Sequence, residues 1–211
     1  RVERAELESL VGRLNFAGEV LRGGRAFLNR LWAALAEHHG PTIKLRAGAL
    51  EDLHWFHDVI VTERWNGSSI WVSAIDRIAG QVDAAGGADA AFAGLSGDKA
   101  VYGKFDALER AKSSTYLELA GASALAVDMA TDEANRGKLI VIVNDNIGCV
   151  CILNKGSASG DPACAALLRS LFKVLNENDC EIIAVWGPRE IGNRPDVASK
   201  SAAPHAEAAR R

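Results

Sequence analysis

The sequence predicts an α/β protein: a mixed sheet flanked by helices, preceded by a small all-helical segment. Three observations carry that expectation. Residues 4–63 hold three apolar stripes at helical spacing. From residue 70 onward the pattern changes to short extended runs. After residue 115, long helical stripes alternate with two short apolar runs, at 138–143 and 181–186, of the kind a sheet buries on both faces.

The elements follow in order. Leu7, Leu10, Val11, Leu14 and Leu21 form the first stripe over 4–21, and Gly23-Gly24 stops it. Phe27, Leu28, Leu31, Trp32 and Leu35 form the second, which ends near His39-Gly40-Pro41. Leu50, Leu53, Phe56, Val59 and Ile60 form the third, over about 49–63. Three short helices bury little by themselves, so they are expected to pack on a neighbouring unit. Extended runs follow at 70–74, 78–83 and 90–95. A helix is expected over 115–131, a central strand over 138–143, helices near 146–154 and 161–177, and a last strand over 181–186 that Gly187-Pro188 ends. The Ala-rich tail after Ser201 is expected to fray.

Composition bounds the function. The chain has 211 residues, 48% apolar and 24% charged, which suits a packed core and excludes disorder throughout. Lys plus Arg is 24 against 27 for Asp plus Glu, a net charge of −3, so any nucleic-acid role must use a local face. No apolar run reaches the roughly 18 residues that a membrane helix needs, so no membrane partner is expected. Cys149, Cys151, Cys164 and Cys180 lack zinc-pair spacing and read as reduced thiols. That and the lack of a leader pattern point to an intracellular location. The start at Arg1 rather than Met suggests a fragment of a longer reading frame.

Four acids stand where such a fold places chemistry. Asp83 ends an extended run, Glu118 lies in the first turns of the long helix, Asp145 follows the central strand, and Asp196 lies beyond the last strand. Strand ends and helix starts of an α/β sheet face one crevice. Carboxylates gathered there repel and need a cation, and oxygen-only ligation selects a hard ion such as Mg2+ or Mn2+. Two such ions about 4 Å apart can activate water and stabilise a leaving oxygen in phosphodiester cleavage. The plainer reading makes each acid a helix cap: Glu118 in a capping box with Ser114 or Thr115, Asp145 between strand and helix, Asp196 on a short final helix.

The words around these acids resemble those of a ribonuclease H domain. Val82-Asp83-Ala84-Ala85-Gly86-Gly87-Ala88 is similar to its opening TDAS-x-x-G-x-G. Ser114-Thr115-Tyr116-Leu117-Glu118-Leu119 resembles its N-x-x-E-L helix. Val143-Asn144-Asp145-Asn146-Ile147-Gly148-Cys149-Val150 resembles x-S-D-N-x-x-A-V, and Asn193-Arg194-Pro195-Asp196-Val197-Ala198-Ser199-Lys200 resembles N-x-x-A-D-x-L-S-R. The four occur in the family's order over 75–200. Upstream, Leu10–Ala17 and Gly24–Leu31 resemble the L-x-G-x-L-N-F and P-G-R-A-F-L-R-R-L stretches that follow the palm of reverse transcriptases. Asp52-Leu53-His54-Trp55-Phe56 and Trp65-Asn66-Gly67-Ser68-Ser69 resemble the linker of DIRS-type, tyrosine-recombinase retroelements. Departures are Val82 and Ala85 around the first acid, Pro195 and Lys200 around the last, and an Ala/Gly-rich stretch at 79–112.

The resemblance implies a helical thumb or connection segment at 1–68, a ribonuclease H-like domain at 69–201 and a tail at 202–211. It implies Mg2+ or Mn2+, two ions, held by Asp83, Glu118, Asp145 and Asp196, with Asp83 bridging both. It implies hydrolysis of the RNA strand of RNA–DNA hybrids and an upstream polymerase domain as partner. Asn146, Lys155 and Arg194 neighbour the acids and are candidates for nucleic-acid phosphates, or else solvated loop residues. A catalytically inactive connection module and a metal-dependent DNA nuclease are the rivals. His54 and His57 share a helical face, which reads as packing before metal binding, and His38-His39 suits a helix C-terminus. Arg22, Arg25 and Arg30 beside Phe27 and Trp32 read either as a basic face for a hybrid or as a solvated surface over a packed stripe.

Overall fold

The computed structural model describes residues 1–62, 76–158 and 160–188. The chain opens on β1 (Val2–Glu3) and α1 (Arg4–Val20), turns through a 3-10 segment (Gly24–Phe27), and continues through α2 (Asn29–Glu37), β2 (Thr42–Ile43) and α3 (Ala47–Val61). After residue 75 come β3 (Arg77–Ala85), β4 (Ala91–Ser96), β5 (Lys99–Lys104) and α4 (Ala107–Arg110). Then follow α5 (Ser114–Thr131), β6 (Leu139–Asn144), α6 (Ile147–Lys155), α7 (Pro162–Glu177) and β7 (Glu181–Trp186).

Among the described residues, five strands form one mixed sheet in the order β5-β4-β3-β6-β7. β4 runs antiparallel to β3 and β5, whereas β6 runs parallel to β3 and β7. β6 is the continuous apolar run, and Leu139, Ile140 and Ile142 are fully buried. α5 lies across the sheet. The glycines beneath it explain why the 79–112 stretch is so poor in bulk: a Cβ on Gly80 would come within 2.8 Å of the Leu125 side chain, and one on Gly94 within 3.1 Å. Small residues on β3 and β4 let the helix settle close to the strands.

The exposed side of β7 is closed by one side chain. The Ala184 amide donates to Asn154 Oδ1 at 2.8 Å, and Asn154 Nδ2 donates to the Ala184 carbonyl at 2.8 Å, so α6 takes the hydrogen bonds a further strand would take. β5 and α4 lie outside the elements expected from sequence. β5 is joined to β4 by Gly97-Asp98, with Ser96 paired to Lys99, a two-residue hairpin signal.

The N-terminal helices do pack on a neighbour, which is α7. One apolar core runs from Leu7, Val11 and Leu31 through Phe56 to Leu168, Phe172 and Leu175. At Gly23, with φ +71°, a Cβ would lie 2.2 Å from the Phe172 ring, so the turn reaches α7 only as glycine. Arg22 donates to Glu181 and to the Cys180 carbonyl, both at 3.0 Å. The basic face is absorbed into such pairs: Arg25 with Glu19, Arg30 with Glu51, and Phe27 buried in a stack on Trp55 at 3.8 Å. His38 bonds the Ala34 carbonyl near the end of α2, while His54 is exposed and exposed His57 bonds its neighbour Asp58. All four cysteines are unpaired. No helix among the described residues is long and apolar enough to cross a membrane. The Trp65–Ser69 motif, the run at 70–74 and the tail after Ser201 lie outside the described residues.

Candidate metal centre

Three acids meet at the ends of the two central strands. β3 and β6 are parallel with Gln81 level with Val143, so two residues further on Asp83 comes level with Asp145, just past the end of β6. Glu118, in the second turn of α5, reaches toward the same point. One carboxylate oxygen from each of Asp83, Glu118 and Asp145 lies within 4.8 Å of the others. Asp83 and Glu118 are buried, and Asp145 is half-buried.

The capping alternatives do not describe this place. The N-cap of α5 is Ser113, whose hydroxyl accepts the Tyr116 amide at 3.1 Å, not Ser114 or Thr115. Glu118 therefore stands too far along the helix for a capping box and faces inward. The N-cap of α6 is Asn146, whose Oδ1 accepts the Cys149 amide at 3.0 Å, so Asp145 is spared that task.

Asn144, which sequence reasoning passed over, ties the site together. It is 1% exposed. Its Nδ2 donates to Glu118 Oε2 at 2.9 Å and to the Val82 carbonyl at 3.2 Å, and its Oδ1 accepts the Asn146 amide at 2.9 Å. One amide thus binds α5, β3 and the turn that carries Asp145. The signal in the sequence was its place before Asp145, where the resembling motif has Ser.

Burial pushes the Glu118 carboxyl up to about 7, and the negative charges of Asp83 and Asp145 push the same way. Donation from Asn144 and from the Ala84 backbone amide opposes them. The donor set therefore fits a cation: oxygen ligands only, like-charged, mostly buried, one held by dedicated hydrogen bonds. Those are the terms on which a hard divalent ion is taken. Among the described residues, no other group of three or more His, Cys, Asp or Glu side chains comes together in this way.

The other candidates lie elsewhere or beyond view. Asn146 is beside the cluster, with its side-chain Oδ1 committed to the helix cap. Lys155 is at the far end of α6, about 12 Å along the axis, lining a cleft with Gly18, Arg22 and Arg25. Asp196 and Arg194 lie outside the described residues. Trp186 donates its indole N–H to the Asp145 carbonyl at 3.1 Å.

No protein-family model matches the sequence, and no curated protein matches it. Solved structures do. The N-terminal RNase H domain of a Mycobacterium tuberculosis protein, solved as a fusion with maltose-binding protein, aligns with a TM-score of 0.50 at 14% identity, covering 63% of this chain and 96% of that one. RNase H1 from the halophilic archaeon Halobacterium salinarum aligns at 0.45 and 16% identity, covering 58% and 96%. LC11-RNase H1, solved in complex with an RNA/DNA hybrid, aligns at 0.49 and 12%, covering 57% and 91%. The fold is ribonuclease H-like: a five-stranded mixed sheet flanked by helices, with an added N-terminal helical segment.

Proposed function

We propose that this protein is a metal-dependent endonuclease that hydrolyses the RNA strand of RNA–DNA hybrids. The observation that carries the reading is the convergence of Asp83, Glu118 and Asp145 at the central strand ends of a ribonuclease H-like sheet. Asp196 supplies the fourth carboxylate in this reading, on the strength of its motif. Asp83, Glu118 and Asp145 would hold Mg2+ or Mn2+; such ions, when bound, lower the pKa of water and neutralise charge on a phosphate. The chain's own residues do the rest. Asn144 keeps the Glu118 carboxylate aimed at the cluster through donation at 2.9 Å. Glu118, on which burial favours a proton, would have to release that proton to serve as a ligand. The 2′-hydroxyl is the feature by which such a site separates RNA from DNA. Cleavage leaves a 3′-hydroxyl and a 5′-phosphate.

We further propose that the helical segment links this domain to an upstream polymerase in a retroelement polyprotein. The motifs at Leu10–Ala17 and Gly24–Leu31 support that link. Hybrid cleavage with and without Mg2+ tests the main reading, with Asp145→Asn as control. The wild type is expected to cut the RNA strand only with the ion, and Asp145→Asn, with unchanged circular dichroism, to be inactive. Hybrid binding without ion-dependent cleavage would make the protein a gripping module. Cutting of duplex DNA in preference to hybrid would make it a DNA nuclease.

A further inference from the structure

Asp145 sits in a link of two residues, between the end of β6 at Asn144 and the start of α6 at Ile147. The peptide unit that joins Asp145 to Asn146 is held at both of its polar atoms. Its N–H, from Asn146, donates to Asn144 Oδ1 at 2.9 Å, and its carbonyl, from Asp145, accepts the Trp186 indole N–H at 3.1 Å. The first bond belongs to the same amide that donates to Glu118 and to the Val82 carbonyl. The second comes from the neighbouring strand, where Trp186 ends β7 level with Asn144.

Trp186 is 52% exposed, so its ring gains only part of what a buried indole gains, and its N–H is spent on the link. The backbone after it is engaged as well. The Gly187 amide donates to the Asn144 carbonyl at 3.1 Å, and a Cβ on Gly187 would lie 2.5 Å from the Val143 side chain, so the chain leaves β7 close against β6. Two peptide planes meet at the Asp145 Cα. The one before it is held by Gly187, the one after it by Asn144 and Trp186. With both planes held, φ and ψ of Asp145 are set, and its Cα–Cβ bond has one direction.

We propose that Trp186 is a positioning residue for the ion site: its indole N–H holds the Asp145 carbonyl, and through that peptide plane it aims the Asp145 carboxylate at Asp83 and Glu118. The proposal rests on the reading of the three acids as an ion site. Hydrogen-bond partners that orient a metal ligand are worth about 10- to 100-fold in metal affinity. Trp186 acts on the backbone of the ligand rather than on its carboxylate, which puts its effect near the lower bound.

Mn2+ affinity of the full chain, measured by calorimetry without nucleic acid, tests this. Trp186→Phe keeps an aromatic ring and removes the donor, and is expected to bind Mn2+ about tenfold more weakly. Replacing Trp186 by benzothienylalanine, which has the outline of tryptophan with sulfur in place of the N–H, should give the same loss. Single-turnover hybrid cleavage should then need about tenfold more Mn2+ for half its maximal rate. Hybrid affinity in EDTA and the urea midpoint in EDTA should both stay near those of wild type. A merely structural role would lower the urea midpoint and leave the Mn2+ affinity of the folded protein unchanged. Unchanged Mn2+ affinity in either variant, or a loss of hybrid affinity in EDTA as large as the loss of ion affinity, overturns the positioning role alone. A wild type that binds no Mn2+ and cuts no hybrid fails earlier, and overturns the ion-site reading together with it.

Discussion

Two buried carboxylates face opposite problems in this chain. Asp52, on α3, is 1% exposed where the N-terminal helices meet α7, with Arg30 at 3.6 Å and Arg169 at 4.0 Å. Glu118 is 5% exposed, with Asp83 and Asp145 as neighbours. Burial pushes both upward, Asp52 to about 6 and Glu118 to about 7. Around Asp52 the fold brings its own cations, and arginine attraction opposes the desolvation. Around Glu118 the described residues bring further anions, Asp83 and Asp145. In the proposed reading, the difference separates a structural charge, opposed by arginines of the same chain, from one kept for an ion.

The largest effect expected of this contrast is on activity. Glu118→Gln should lower hybrid cleavage on the order of 10^3-fold, as loss of a transition-state charge contact does. Asp52→Asn should leave the rate within about twofold, since it touches no reacting atom. Single-turnover cleavage under saturating Mg2+ compares them. Equal losses would erase the distinction.

The next effect is on stability without divalent ion. The folded-state pKa of Glu118, about 7, lies above its ordinary 4.5, so the folded protein holds that proton more tightly than the unfolded chain. This contribution is fully present below pH 4.5, falls as pH rises toward 7, and is constant above it. The loss is about 3 kcal/mol. Urea denaturation in EDTA should show the fall, and Glu118→Gln should remove it. The variant would then be more stable than wild type at pH 8 while being inactive, the exchange of stability for function expected where like charges are gathered.

Adding the ion should reverse that loss. At a free Mg2+ concentration a hundredfold above the dissociation constant, the wild type at pH 8 should gain about 2.7 kcal/mol. Glu118→Gln should gain less at the same concentration. Thermal melts with and without EDTA measure both. A gain equal in the two proteins would place the bound ion away from Glu118.

The sheet was legible where burial is two-sided. Leu139 to Val143 has no polar residue, and only a covered central strand tolerates that. β5 was not, because Lys99–Lys104 is half-exposed along most of its length and its burial shows no alternation. Its evidence lies in the Gly97-Asp98 turn and in pairing with β4. The acids were found through the words around them rather than through spacing, since Asp83, Glu118 and Asp145 come together only once α5 packs on the sheet. Asn144 was missed because a buried amide looks like any loop-edge asparagine until its three partners are placed. Nearness in sequence is no guide to the place of Lys155. Ten residues from Asp145 in sequence, it lies a full helix away in space, lining a cleft with Gly18, Arg22 and Arg25.

Asp52 gives the smallest effect and the finest test of the contrast. Its folded-state pKa of about 6 lies above its ordinary 3.8, so its contribution is full below pH 4 and is lost as pH rises toward 6. The arginines therefore fall short of offsetting burial: Asp52 Oδ2 and Arg169 Nε are each buried without a hydrogen-bond partner. Asp52→Asn keeps the shape and drops the charge. It should raise stability at pH 7 by about 1–2 kcal/mol, less than the full pKa difference because Arg169 then loses its counterion. The gain should be the same with Mg2+ as without it, and it should disappear at pH 4, where wild-type Asp52 is largely protonated in the folded state. A destabilised variant at pH 7 would mean that the two arginines outweigh burial, and that the chain balances this charge more completely than the geometry indicates.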